Sequence, residues 1–132
     1  MTTVMVPSAS PALETLVRRD REVWESCAPS YEDRIVHGHP DVQAYLGFED
    51  DLIDRLLIYL VRDCGRRVQL YDVGCGSGRL HLRYGRQLEF AGAERTEPAL
   101  AAGLESIGGV DFSSRMLDLA RRKLVAAGLE PL

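Results

Sequence analysis

No stretch of the 132-residue chain approaches the ~18 consecutive apolar residues that span a membrane. Its first residues also lack the basic region and apolar core of a secretory signal. A membrane-embedded or exported protein is therefore not expected, and a cytoplasmic one is. Cysteine is scarce: Cys27, Cys64 and Cys75 are odd in number, dispersed and free of C-x-x-C spacing, which argues against a disulfide framework and for reduced thiols. His37-Gly38-His39 is short of partners for a metal, because a closed zinc site needs about four ligands and no Cys or acid stands at a convincing spacing. It reads as loop. Excess basic charge is missing as well. Sixteen Lys and Arg against twenty Asp and Glu leave a net charge of −4, so no nucleic-acid-binding surface is expected. The acidity sits in the leading part, where residues 1–62 hold six basic and eleven acidic side chains, and it reads as a solvated helical surface.

What the chain does have is concentrated in Val68 to Arg79. Val68-Gln69-Leu70-Tyr71-Asp72-Val73 alternates apolar and polar residues and is rich in β-formers, which predicts a strand. Gly74-Cys75-Gly76-Ser77-Gly78 cannot continue it. Three glycines at alternate positions allow a sharp turn and close approach of the backbone to a ligand. From Arg79 to Phe90 there is no proline, and Leu80, Tyr84 and Leu88 recur four apart, as on one helical face. Strand, glycine loop and helix open a nucleotide-binding βαβ unit. A second strand is predicted over Ile107 to Asp111, followed by a helix capped by Ser113, striped by Met116, Leu117, Ala120 and Leu124, and stopped at Gly128.

Asp72-Val-Gly-Cys-Gly-Ser-Gly78 and Val110-Asp-Phe-Ser-Ser-Arg-Met-Leu117 together resemble the glycine motif and the ribose-binding motif of the class I S-adenosylmethionine-dependent methyltransferases. The continuation Asp118-Leu-Ala-Arg-Arg-Lys-Leu124 is similar to the helix that follows in that family. The resemblance implies an α/β fold: the N-terminal half of a Rossmann-like sheet, with two parallel strands legible, preceded by a helical lid. Residues 1–66 would be the lid or cap segment and residues 67–132 a partial S-adenosylmethionine-binding domain. It also implies the cofactor contacts. Gly74, Cys75, Gly76 and Gly78 would approach the methionine moiety, and Asp72 would help hold its ammonium group. Asp111 would take the ribose hydroxyls, and Phe112 and Met116 would border the adenine. Trp24…Ala28-Pro29-Ser30-Tyr31-Glu32 is similar to the family's lid lead-in, which would bring Tyr31 over the cofactor; its bland alternative is aromatic anchoring of the segment. No catalytic acid or base is assigned, because methyl transfer rests on positioning and desolvation.

The leading segment is read as a helix over residues 11–27, entered by Ser10-Pro11 and ended by Pro29. A short turn from Pro40 to Gly47 follows, and then a separate helix opened by Glu49-Asp50-Asp51 at its positive pole and running to Gly65. Its many apolar residues predict cover on more than one side. A nicotinamide or flavin dinucleotide domain is the rival reading, but G-x-G-x-x-G needs a small residue where Arg79 stands. A non-catalytic cofactor-binding fragment is the third. Asp111 lies farther beyond the glycines than the ~20 residues of the dinucleotide fold, with the surplus around residues 91–105. The sequence is read as the front portion of a larger methyltransferase acting on a small molecule, inactive alone, with a strand edge open to pairing with another chain.

Overall fold

The structure is a computed structural model, and it describes residues 10–89 and 98–129. The described residues form a mixed helix and strand fold around a two-stranded parallel sheet. Helix α1, Pro11–Cys27, starts as its sequence requires: the Ser10 hydroxyl accepts a hydrogen bond from the Leu13 amide and proline fills the first position. α1 ends at Cys27, as expected, though Pro29 just beyond it does not stop the chain from turning on. It sits in the first turn of a 3₁₀ segment, Ala28–Ser30, where no N–H is needed, and a π turn, Glu32–Val36, follows. Trp24 and Tyr31 meet edge to face across this bend, with ring centroids 6.1 Å apart.

The expected break near Gly47 is also absent. Helix α2 runs unbroken from Pro40 to Cys64 and ends at Gly65 in the left-handed conformation (φ 59°). Without a proline, one interior glycine costs only about 1 kcal/mol and does not stop a helix. Glu49, Asp50 and Asp51 thus lie mid-helix, and Glu49 and Asp50 pair with arginines on another helix rather than with a helix pole. Among the described residues α2 is covered on one side: Leu57 is buried, while Phe48, Leu52, Leu56 and Tyr59 are exposed.

Strand β1, Val68–Val73, and helix α3, Arg79–Glu89, fall where the pattern places them; Phe90, the last residue expected in α3, lies outside the described residues. Strand β2, Leu104–Val110, begins three residues earlier than expected, immediately after the short helix α4, Pro98–Gly103. Leu104 is fully buried and its carbonyl accepts a 2.8 Å bond from Arg67, so the chain extends from there. The strands pair in parallel from Gln69 opposite Ser106 to Val73 opposite Val110. Helix α5, Ser114–Ala126, is capped by the Ser113 hydroxyl, which accepts from the Met116 amide, and Gly128 follows it with φ 73°. Residues 1–9, 90–97 and 130–132, including part of the long crossover, lie outside the described residues.

The core joins Leu57, Tyr84, Leu100 and Leu104 from α2, α3, α4 and β2, with Val68, Leu70 and Ile107 packed against them. Burial of each such large side chain contributes roughly 1.5–3 kcal/mol. The Tyr84 hydroxyl is satisfied within it, donating to Asp54 at 2.7 Å. Burial along β1 alternates: Val68, Leu70 and Asp72 turn toward the helices, while Gln69, Tyr71 and Val73 are exposed on the other face.

Candidate functional site

The site forms where the ends of β1 and β2 meet the glycine loop. Gly74, Gly76 and Gly78 all take positive φ (84°, 51° and 75°), a region costly to any side chain with a Cβ. The loop is fastened by its backbone. The amides of Gly74 and Cys75 both donate to the Val110 carbonyl, at 2.8 and 3.0 Å, and the Gly78 amide donates to Cys75. Gly78 serves packing: a Cβ there would stand 2.9 Å from that of Ala120 on α5. At Gly74 and Gly76 a Cβ would meet nothing within 4 Å, so the backbone there borders open space.

That space is a cavity of about 280 Å³. The loop and β1 give it Asp72, Gly74, Cys75, Gly76 and Ser77; α3 gives Arg79 and Leu80. The bend after α1 closes it with Tyr31, Glu32 and Val36, while α2 adds Leu46 and Glu49, and α5 adds Lys123. Tyr31 thus lines the cavity while it also packs edge to face on Trp24.

Asp111 is brought to the loop despite the long crossover. One carboxylate oxygen accepts from the Gly76 amide at 2.8 Å and the other from the Ser113 amide at 2.8 Å, tying the loop to the start of α5. Gly78, Asp111, Phe112 and Met116 do not line the cavity. Phe112 is 43 % exposed beside it in sequence, and Met116 is buried in the α5 stripe with Ala120 and Leu124.

Several site residues escaped the sequence reading. Arg79 pairs with both Glu49 and Asp50, and Arg83 with Asp54, lacing α3 to α2. The signal was present as two acids spaced i,i+4 on one helix and two arginines spaced i,i+4 on the next. Lys123 donates to Glu32 at 2.7 Å and to the Ser77 hydroxyl at 3.3 Å, bridging the α1 bend to the loop. Glu25 holds the same segment from the other side, accepting from the Ser114 amide and hydroxyl at the start of α5 and pairing with Arg115.

Electrostatics divide the site. Burial raises the Asp72 carboxyl above its ordinary value, helped by the charges of Asp111 and Glu49 and opposed by His81 and Arg79. Burial, with Asp72 and Asp111, pushes the Cys75 thiol up to about 11, so it is not a nucleophile at neutral pH. Burial also works to raise Glu32, but hydrogen bonds from Lys123 and Ser77 and the Lys123 charge prevail and hold it below the usual range. Burial raises the Tyr31 hydroxyl. Among the described residues, no group of three His, Cys, Asp or Glu side chains is placed to hold a metal, and no helix is long and apolar enough to cross a membrane.

In comparison with known proteins, no family model, no curated protein and no solved structure matches the chain.

Proposed function

We propose that this chain is the cofactor-binding part of a Rossmann-like S-adenosylmethionine-dependent methyltransferase whose acceptor is a small molecule. The observation that carries the reading is the open backbone of Gly74 and Gly76 beside the Asp72 carboxylate in a closed-over cavity of about 280 Å³. That volume is near the lower end of the range for small-molecule pockets. It fits the amino-acid end of the cofactor better than the whole of it.

The lining suits a zwitterion. Asp72 is positioned to accept from an ammonium, and Arg79 and Lys123 present positive charge nearby for a carboxylate. When bound, the cofactor supplies an electrophilic methyl group on its sulfonium. The protein's own residues orient it: Gly74 and Gly76 let the backbone approach, Asp111 holds the loop in that shape, and Tyr31 and Val36 exclude water from above. Asp111, whose oxygens each keep a further lone pair, stands at the edge toward Phe112, where the ribose and adenine would continue. The edge of β1 away from β2, unpaired among the described residues, is where this family's sheet would continue.

A dinucleotide fits less well. Its pyrophosphate would bring two negative charges into a cavity where Glu32, Glu49 and Asp72 already outnumber Arg79 and Lys123, a balance that one carboxylate accompanied by its own ammonium does not worsen. Calorimetric titration with S-adenosylhomocysteine and, separately, NAD decides the matter. Saturable binding of the first and none of the second is expected. Binding of NAD alone, or of neither, removes the methyltransferase reading.

A further inference from the structure

His81 lies in the first turn of α3, is 2 % exposed, and neither ring nitrogen has a partner in good hydrogen-bond geometry, although the Gly108 backbone is close enough to act on its titration. A neutral imidazole carries one donor and one acceptor, and leaving both unmet inside a protein is costly. The ring is wedged into room that a glycine leaves. A Cβ at Gly109 on β2 would stand 2.4 Å from His81 Cε1 and 2.7 Å from Nε2, so the ring cannot retreat toward that strand, and any residue larger than glycine there would expel it. On its other side, His81 Nδ1 faces Asp72 Oδ2 at 3.9 Å, beyond a hydrogen bond yet within the reach of a small side-chain rotation. Asp72 is itself a cavity residue. The charged and titratable neighbours of this pair are Cys75 on the loop, Asp111 after β2, Arg79 on α3 and Glu49 on α2. From β2 the ring meets the uncharged Gly108 and Gly109.

We propose that His81 and Asp72 form a proton-sharing pair that gates a cation site in the cavity: with the imidazole neutral, the carboxylate is free to hold a primary ammonium of the ligand, and when the pair takes one proton from solvent the imidazolium claims that carboxylate and the ammonium is released. The ammonium's identity as that of the cofactor's methionine end rests on the function proposed above; the pair itself does not. Burial holds His81 below its ordinary 6.5 and raises Asp72 above its ordinary 3.8, which draws the two titrations toward each other. Unprotonated, it presents one negative charge to the cavity. After uptake of one proton it presents none, whichever atom carries it.

Two measurements test the pair. Calorimetry with S-adenosylhomocysteine at pH 7.0 and 5.5, a window above ordinary carboxylate titrations, compares the wild type with His81→Gln. The wild-type Kd is expected to rise about fivefold, short of the tenfold per pH unit of obligatory one-proton exchange. In His81→Gln the rise should stay within about twofold. Equal slopes in both proteins overturn the proposal. Imidazole NMR of the ligand-free protein then follows the His81 titration in the wild type and in Asp72→Asn. Loss of the carboxylate charge is expected to shift that titration to lower pH, and an unchanged titration overturns the pair. If S-adenosylhomocysteine binds at no pH, the cofactor reading fails, and the NMR comparison alone decides the pair. It decides it equally if His81→Gln does not fold.

Discussion

Asp72 is held in a state the fold does not favour. Its folded pKa is raised, so the unfolded chain ionises it more readily; the fold loses stability as pH rises through the ordinary carboxylate range and carries that penalty in full at neutral pH. Asp72→Asn should therefore raise Tm at pH 7, with the gain shrinking below about pH 3.8, as thermal melts at the two pH values would report. The same change removes an ionised hydrogen-bond partner worth roughly 1.5–3 kcal/mol, so affinity for S-adenosylhomocysteine should fall by about ten- to a hundredfold. A residue that costs stability and supports binding is kept for binding; a variant losing both would identify Asp72 as purely structural. At this scale the sequence was legible wherever a residue acts on its near neighbours. Ser10 and Ser113 cap the helices they precede, and Gly74 to Gly78 turn the chain where they stand. His81 was not legible, because its surroundings are made by Gly109 and Asp72 on two different strands, and nothing local marks it as buried. Asp111 was placed at the loop, but its two backbone bonds could not be read from one sequence.

Among the elements, α2 departs furthest from its sequence pattern, and the reason is instructive about glycine. Gly47 was taken as a stop, yet a glycine stops a helix by adopting the left-handed conformation, as Gly65 does, and Gly47 stays helical. A Cβ at Gly47 would meet nothing within 4 Å. Gly47→Ala should thus stabilise the protein by about 0.5–1 kcal/mol, seen as a higher denaturant midpoint with an unchanged slope. A lower midpoint would mean that the helix is broken there after all. The acids after Gly47 misled for a related reason: Asp50 and Asp54 belong to Arg79 and Arg83, a pairing between elements that a helix-by-helix reading does not see. The strand-loop-helix of β1 and α3 was legible because its determinants are contiguous.

The molecule as a whole is one-sided. Its core lies between the helices and one face of the sheet, while Tyr71 is 68 % and Val73 82 % exposed on the other, and β1 has one strand neighbour among the described residues. Parallel sheets are normally covered on both faces, and an open strand edge invites pairing. Sedimentation velocity over a tenfold concentration range should show association that Val73→Lys suppresses. Identical behaviour of the two proteins would clear this face. The opposite side of the molecule has a different consequence. The chain contains a single lysine, Lys123, and its ammonium is the bridge from Glu32 in the α1 bend to Ser77 in the glycine loop. An acylating reagent aimed at side-chain amines therefore has one address in this protein. While the bend is docked, that amine is engaged and slow to react; when the bend lifts, it is released. The labelling rate at Lys123, read by peptide mass so that the terminal α-amine is counted apart, tests whether the bend lifts from the cavity at all.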